Sequence, residues 1–433
     1  MNQGALNDPA GTRLLPIWLV IADGSRASGF GAGDRINRTM SPMSVERSPE
    51  NVAALPGRLD GVDAARAVAV LGMVIIHFGP NPIPDTVFGN LYEVPHGRAS
   101  VLFVLLAGVG VALLAGRSGD GRRWQARGRL LFRAALLLPL GLWLQGLDHG
   151  VLVILQYYAV YFLLAALVLT LPDRWLLVAG AFALLCGPVS YFVGETAKPG
   201  WFDGHPATLG DPLARISHDL LLSGAYPLAV WSAPLFVGLW VGRRSLSSPA
   251  VRWWLLGVGL AVAVAAPFVS DGLTAALGGP TGGTGPGFAK LVTDEPHSQM
   301  PLWMAGSIGS ACAALGGALL LVEMLPRVSW PLVATGQLAL SVYVGHLLLL
   351  DSYEELLRYE ALPAAATTVG VFMLLAAITC MLWRAALPRG PLEAALATPW
   401  WIIERVAAWL RTTQGRDRRT PVAVARVSRE RQK

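Results

Sequence analysis

The sequence predicts an all-α, polytopic integral membrane protein with about ten transmembrane helices. Of its 433 residues, 54% are hydrophobic and only 14% are charged, whereas soluble globular proteins carry about 25% charged residues. The apolar residues form a series of segments long enough to cross a bilayer, each of roughly 17–25 residues. The predicted spans are 62–79, 98–116, 130–147, 150–171, 174–193, 225–242, 251–270, 303–325, 331–350 and 363–384.

The distribution of basic residues orients these spans. The loop after the second span is rich in arginine (117–133), and loops rich in Lys and Arg remain on the cytoplasmic side. With ten spans, both termini are then also cytoplasmic, and the two longest loops, 194–224 and 271–302, lie outside. The same topology brings all seven histidines to the outer side of the membrane or near it.

The chain divides into three regions. Residues 1–57 lack sustained periodicity and are predicted to be a disordered tail, with Met40 or Met43 as alternative starts. Residues 58–390 form the transmembrane domain. Residues 391–433 form a basic cytoplasmic tail, which we interpret as an anchor to anionic lipid rather than to nucleic acid. The three cysteines lie in apolar stretches, so they predict neither disulfides nor a metal site.

The candidate catalytic residues lie where the first two spans meet. His77 ends the first helix, and His96, Arg98 and Ser100 open the second, after a loop whose prolines and glycine are expected to prevent regular helix. A neutral imidazole can take a proton from an attacking amine or hydroxyl, or carry an acyl group covalently. The alternative is that each histidine only hydrogen-bonds to a loop carbonyl.

Polar residues elsewhere are candidates for binding. Asp63 and Arg66 share one helical face, and they form either a local ion pair or a contact to an anionic cytoplasmic ligand. Tyr226 opens the sixth span as a pocket wall or an interfacial aromatic residue. Trp231 is assigned to the interfacial aromatic belt.

Two further groups surround the eighth and ninth spans. His297 and Ser298 precede the eighth span. In the ninth span Tyr343 and His346 share one face, and Gln337 shares another with Ser341. These side chains either contribute to a site or form hydrogen bonds between helices.

Two stretches resemble a known family: LDGVDAARAVAVLGMVIIH and HGRASVLFVLLAGVGVALL. They are similar to the start of the catalytic domain of the heparan-alpha-glucosaminide N-acetyltransferase-like membrane family. Further similar segments are GAYPLAVWSAPLFVGLWVGR, EPHS, TGQLALSVYVGHLLL and RGPLEA, and the last two also resemble an overlapping bacterial membrane family of unknown function. The resemblance covers roughly residues 58–395.

The resemblance implies a reaction and two residues for it. In the characterised family member, cytoplasmic acetyl-CoA donates an acetyl group to a glucosamine amine across the membrane. A histidine in the loop entering the second helix and a polar residue late in the first are implicated, and the matching positions here are His96 and His77. The chain departs from the family pattern at Ala67, where glycine is usual, and at His77, where asparagine is frequent.

We therefore expect a membrane acyltransferase that uses acyl-CoA as co-substrate, without a metal, and modifies an extracytoplasmic glycan or cell-envelope component. Arg98 is expected to orient the substrate or stabilise an oxyanion, and the loop arginines Arg117 to Arg133 to hold the CoA phosphates. The alternative is a transporter or exporter of a small solute, which the absence of an internal repeat disfavours. A non-catalytic membrane scaffold is the third possibility.

Overall fold

A computed structural model describes residues 59–80, 83–118, 123–197, 205–277, 288–397 and 405. Within these ranges the chain is helical and forms no strand. The predicted tails, 1–57 and most of 391–433, lie outside the described residues. The helices are α1 (Asp60–Phe78), α2 (Val87–Glu93), α3 (Arg98–Ser118), α4 (Arg123–Gln145), α5 (Leu155–Val168), α6 (Asp173–Ala197), α7 (Leu213–His218, then a π-helical turn, Asp219–Ser223), α8 (Leu228–Gly242), α9 (Pro249–Ala276), α10 (Pro301–Met324), α11 (Pro326–Gln337), α12 (Ala339–Leu357) and α13 (Leu362–Ala386).

Each of the ten predicted spans overlaps one or more of these helices, which confirms a polytopic helical architecture. In the part of the chain that the structure describes, six helices are long and apolar enough to cross a membrane by themselves. The count rises to eight if two bent helix pairs, α7 to α8 and α11 to α12, each make one span. The predicted total of ten is not confirmed within the described residues: α5 has only 14 residues, and α4, with four arginines in its first half, falls outside both counts.

Small residues bring the helices together. A Cβ atom added at Gly238 of α8 would lie 2.0 Å from the carbonyl oxygen of Leu105 on α3, and one at Gly309 of α10 would lie 2.8 Å from the backbone of α9. Such contacts permit the close van der Waals packing on which membrane helices depend. Proline lies inside α4, α6, α8 and α9, as expected where neighbouring helices can satisfy the freed carbonyl groups.

The loop after His77 contains a helix, so the prediction that its prolines prevent regular helix is wrong. Helix α2 begins after Thr86, whose hydroxyl accepts a hydrogen bond from the backbone N–H of Gly89 at 3.0 Å. Proline disrupts a helix mainly in its interior, and Pro84 and Pro95 lie on either side of α2. The prolines therefore delimit the helix.

The ninth predicted span is broken at Leu338. Helices α11 and α12 meet there at 69°, so Gln337 and Ser341 do not share the face of one continuous helix, as the sequence had suggested. Ser341 instead binds Glu393 through both its amide and its hydroxyl group, at 3.0 and 2.6 Å. Gln337 lies at the bend and accepts a hydrogen bond from Arg384.

Candidate functional site

A cavity of about 930 Å³ lies where α1 ends and α3 begins. Its lining combines the end of α1, the turn before α3, the loop before α5, the loop before α10 and the end of α12. Among the predicted site residues that line it are His77, His96, Ser100, Tyr226 and His297. We call it the histidine cavity, because three of these side chains are imidazoles from distant parts of the chain.

Gly97 brings two of the histidines together. It has a φ of 68°, in the left-handed region that glycine adopts at little cost. A Cβ atom at this position would lie 2.5 Å from the ring of Trp303 and 3.2 Å from Nε2 of His297. The chain can therefore pass close to His297, and the ring centroids of His96 and His297 lie 5.4 Å apart.

His297 is held among aromatic rings on a strained segment of backbone. Its φ is 57°, which is uncommon for a residue with a side chain. The rings of Trp303 and Trp231 stack against it at 5.7 and 6.1 Å, and Tyr226 meets it edge-on at 5.7 Å. Burial, and secondarily the nearby His96, lower the pKa of His297 from 6.5 to about 3. The ring is therefore neutral at physiological pH.

Trp231 belongs to the core, so its assignment to the interfacial aromatic belt is wrong. The side chain is fully buried, and its Nε1–H donates a hydrogen bond to Gln299 at 2.6 Å. Gln299 in turn donates to the carbonyl group of Ala225 at 2.8 Å. Trp231 thus supports the wall behind His297, and Tyr226, left open between two roles by the sequence, lines the cavity.

His77 joins the cavity to a fully buried second histidine. Its Nδ1 lies 2.9 Å from Nε2 of His346 on α12. Its backbone carbonyl group accepts a hydrogen bond from Arg358 at 3.4 Å, and the hydroxyl group of Tyr92 donates to the carbonyl group of Ile75 at 2.6 Å. The end of α1 is therefore fixed by α12 on one side and by α2 on the other.

His96 lies beside a carboxylate and is partly exposed. Its Nδ1 is buried and has no hydrogen-bond partner among the described residues, and the nearest carboxylate, Glu93, lies 3.7 Å away. The side chain is 35% exposed. A partly exposed imidazole with an adjacent carboxylate can exchange a proton with a ligand. Across the cavity Ser100 hydrogen-bonds to Tyr226, whose hydroxyl group also donates to Leu152.

Acidic residues surround the same cavity, and sequence reasoning missed them. Glu93, Glu354, Glu355 and Glu360 line it, together with the cation Arg358. Arg358 pairs with Glu354 and donates a hydrogen bond to the carbonyl group of His149 at 3.0 Å. Glu93 could have been found from its position three residues before His96. The other carboxylates are far away in sequence and carry no local signal.

Other predicted residues lie outside the cavity lining. Arg98 donates a hydrogen bond to the carbonyl group of Val94 at 3.2 Å. Tyr343 is buried behind His346 and accepts a hydrogen bond from the amide of Ile154 at 3.2 Å. Ser298 is bonded within its own loop.

A second polar group lies at the other end of α1. Asp63 and Arg66 are joined at 2.6 Å, which confirms the ion pair that their spacing suggested. Arg129 and Arg66 are the charged neighbours of Arg133, so arginines predominate here. From residue 66 to residue 77 the helix rises by about 16 Å. We call these two regions the arginine end and the histidine end.

The helices and the histidine cavity together define a polytopic membrane protein with a cavity lined by ionisable side chains at one end of its helical bundle. Residues 58–256 match the family model described as heparan-alpha-glucosaminide N-acetyltransferase, catalytic. This match confirms the resemblance over that segment and indicates a membrane acetyltransferase-like function. A search of curated proteins gives no match to the chain. The matched segment includes His77 and His96, while His297 and His346 lie beyond it.

Proposed function

We propose that the protein is an integral membrane acyltransferase. It would transfer an acetyl or other acyl group from cytoplasmic acyl-CoA to an extracytoplasmic glycan or cell-envelope acceptor. The observation that carries this proposal is the convergence of His77, His96 and His297 on one cavity, in a chain whose residues 58–256 match an acetyltransferase family.

The chemistry requires a group that moves protons. The acceptor's nitrogen or oxygen forms a bond to the acyl carbon, the C–S bond of the thioester breaks, and its electron pair leaves on sulfur. The acceptor's proton passes to an imidazole and then to the thiolate. His96 is the general base or acyl carrier, and His77 is its partner. His297 remains neutral and contributes an aromatic wall.

The donor would approach from the arginine end. Acyl-CoA is large and anionic and does not cross a bilayer, so its phosphates must remain on the cytoplasmic side. Arg66, Arg129 and Arg133 supply an excess of positive charge there, close to the loop that the basic-residue pattern assigns to the cytoplasm. The acyl arm would then extend along the bundle toward the histidine end, which in this topology faces outward.

The acceptor would meet a predominantly acidic entrance. Four glutamates and one arginine line the cavity, and that arginine is paired. Like charges brought together oppose association, so a polyanionic acceptor such as heparan is disfavoured. An acceptor with an amine is favoured, because its ammonium form is attracted before it loses a proton to an imidazole.

The test is acyl transfer by the purified full-length protein in proteoliposomes. Labelled acetyl-CoA is the donor, and glucosamine and a sulfated heparan oligosaccharide are compared as acceptors. We expect transfer to glucosamine, less transfer to the oligosaccharide, and a loss of at least about 100-fold in kcat for His96→Ala. The matched control is His205→Ala, at an exposed histidine outside the cavity lining.

Two outcomes would contradict the proposal at different levels. Full activity of a folded His96→Ala variant would remove the residue assignment. Absence of transfer by the wild type, together with no thermal stabilisation by acetyl-CoA, would remove the enzyme itself. If transfer is observed, mass spectrometry of envelope glycans and lipids in wild-type and deletion strains would identify the physiological acceptor.

One observation favours the transporter alternative. Two helix pairs near the cavity, α7 with α8 and α11 with α12, are bent by 59° and 69°, and broken helices are typical of transporter binding sites. Uptake of labelled glucosamine by the same proteoliposomes without acyl-CoA would support transport. We expect no uptake above that of liposomes without protein.

A further inference from the structure

His77 and His346 form a hydrogen-bonded pair between α1 and α12. The distance between Nδ1 of His77 and Nε2 of His346 is 2.9 Å. The two rings are nearly coplanar, with an interplanar angle of 13° and a centroid separation of 5.2 Å. Because the N–H bond of an imidazole lies in the ring plane, this arrangement directs a hydrogen from one nitrogen to the other.

The carbonyl group of Val342 determines which nitrogen carries the hydrogen. It lies 3.3 Å from Nδ1 of His346 and can only accept, so His346 carries its hydrogen on Nδ1. A neutral imidazole with one protonated nitrogen has a lone pair on the other. Nε2 of His346 is therefore the acceptor, and Nδ1 of His77 is the donor. Nε2 of His77 is left with its lone pair.

The two members of the pair differ in access. His346 is fully buried, with Phe78 and Tyr343 against its ring, whereas His77 lines the cavity. A ligand in the cavity can therefore reach His77 but not His346. The other ionisable side chains that act on His77 are His149, Arg358 and His297.

We infer that His346 is a positioning residue that holds His77 in the tautomer whose Nε2 can accept a proton from a ligand in the histidine cavity. The inference rests on the proposed acyl transfer and changes one role in it: His77, and not its partner His96, takes the acceptor's proton. The acceptor's proton moves to Nε2 of His77 as the new bond to the acyl carbon forms and the C–S electrons leave on sulfur. His77, now an imidazolium ion, still donates from Nδ1 to His346, and later returns the proton to the thiolate.

The kinetic test compares two substitutions at residue 346. His346→Leu removes the acceptor for His77, and we expect a fall in kcat of roughly 100-fold with little change in KM. His346→Gln keeps a carbonyl oxygen for His77 and an amide N–H for Val342, and should restore most of kcat. The control is Leu349→Ala, at an exposed position on the same helix, with kcat expected near the wild-type value.

A second background separates positioning from a structural role. In a His77→Ala protein the tautomer no longer matters, so adding His346→Leu should not lower the residual kcat further. An equal loss in both backgrounds, or failure of His346→Gln to restore kcat, would overturn the inference.

The tautomer itself can be measured without activity. The chain has seven histidines, so ¹⁵N-histidine labelling gives few imidazole signals, and the signal missing from His77→Ala identifies that ring. We expect the Nδ1–H tautomer in the wild type and a mixture of tautomers in His346→Leu. An Nε2–H tautomer in the wild type would refute the inference even if acyl transfer is confirmed. The expected tautomer in a protein without acyl transfer would place the failure in the proposed function.

Discussion

Both ends of α1 carry polar residues in an otherwise apolar helix, but the fold packs those at one end and leaves those at the other end accessible. At the arginine end, Asp63 is fully buried and paired with Arg66, and α11 presses on it so closely that a Cβ atom at Gly336 would lie 1.7 Å from its carbonyl oxygen. At the histidine end, His77 lines a cavity. The arrangement of the neighbouring segments thus determines whether a polar side chain is packed or accessible.

This contrast predicts where substitutions lower the stability of the protein and where they instead change ligand binding or acyl transfer. A charge buried by a neighbouring helix is costly to leave without its partner. A side chain that lines a cavity can change with less effect on packing. Substitutions at the two ends should therefore separate the two effects.

The largest effect on stability is expected for Asp63→Ala. The substitution leaves Arg66 without the carboxylate it pairs with, in a region where Arg129 and Arg133 are also positive, and should lower the free energy of unfolding by about 3 kcal/mol. Denaturant unfolding in micelles measures it. The control is Arg244→Ala, which breaks a pair with Asp173 in which both side chains are more than a third exposed, and it should cost less than about 1 kcal/mol. Equal losses would show that the arginine end is no more tightly packed than the surface.

The sequence predicts the helices well because an apolar run is a local signal. It also predicts the Asp63–Arg66 pair, whose members are three residues apart on one helix. It places His77 near His96 because only a short loop joins them. It does not predict Trp231 in the core: α8 is apolar all round, so no periodicity shows which face meets the other helices.

Features that depend on distant segments were beyond local reasoning. His346 was a candidate without a known partner, and its contact with His77 spans 269 residues of sequence. The glutamates at the end of α12 reach the cavity only because α12 returns to the end of α1. The bend at Leu338 accompanies the contact of Gly336 with α1, which a single apolar segment does not reveal.

A smaller effect on stability is expected for Gly97→Ala at the histidine end. The new methyl group would require a left-handed backbone and meet the ring of Trp303 at 2.5 Å, costing about 2 kcal/mol. It should also displace His96 and reduce acyl transfer. The control is Gly370→Ala, at a helical position with no atom near the added Cβ, which should be neutral or slightly stabilising. Unchanged stability and activity in Gly97→Ala would show that the turn can accommodate a Cβ atom despite its short distance to Trp303.

The smallest effect concerns pH and His297. The pKa of this residue is about 3 in the folded protein and 6.5 as its ordinary value, so between these values the unfolded chain binds more protons. The contribution of His297 to folding stability is therefore fully present above pH 6.5 and is lost as the pH falls toward 3.

His297→Phe keeps an aromatic ring against Trp231 and Trp303 but cannot titrate. The variant should lose about 1 to 2 kcal/mol less stability than the wild type between pH 7.5 and pH 5. Melting temperatures in nanodiscs at pH 5 and pH 7.5 measure this. The melting temperature of the variant should still depend on pH to some extent, because burial also lowers the pKa of His149. An identical pH dependence in the variant would mean that the surrounding aromatic rings do not keep His297 neutral.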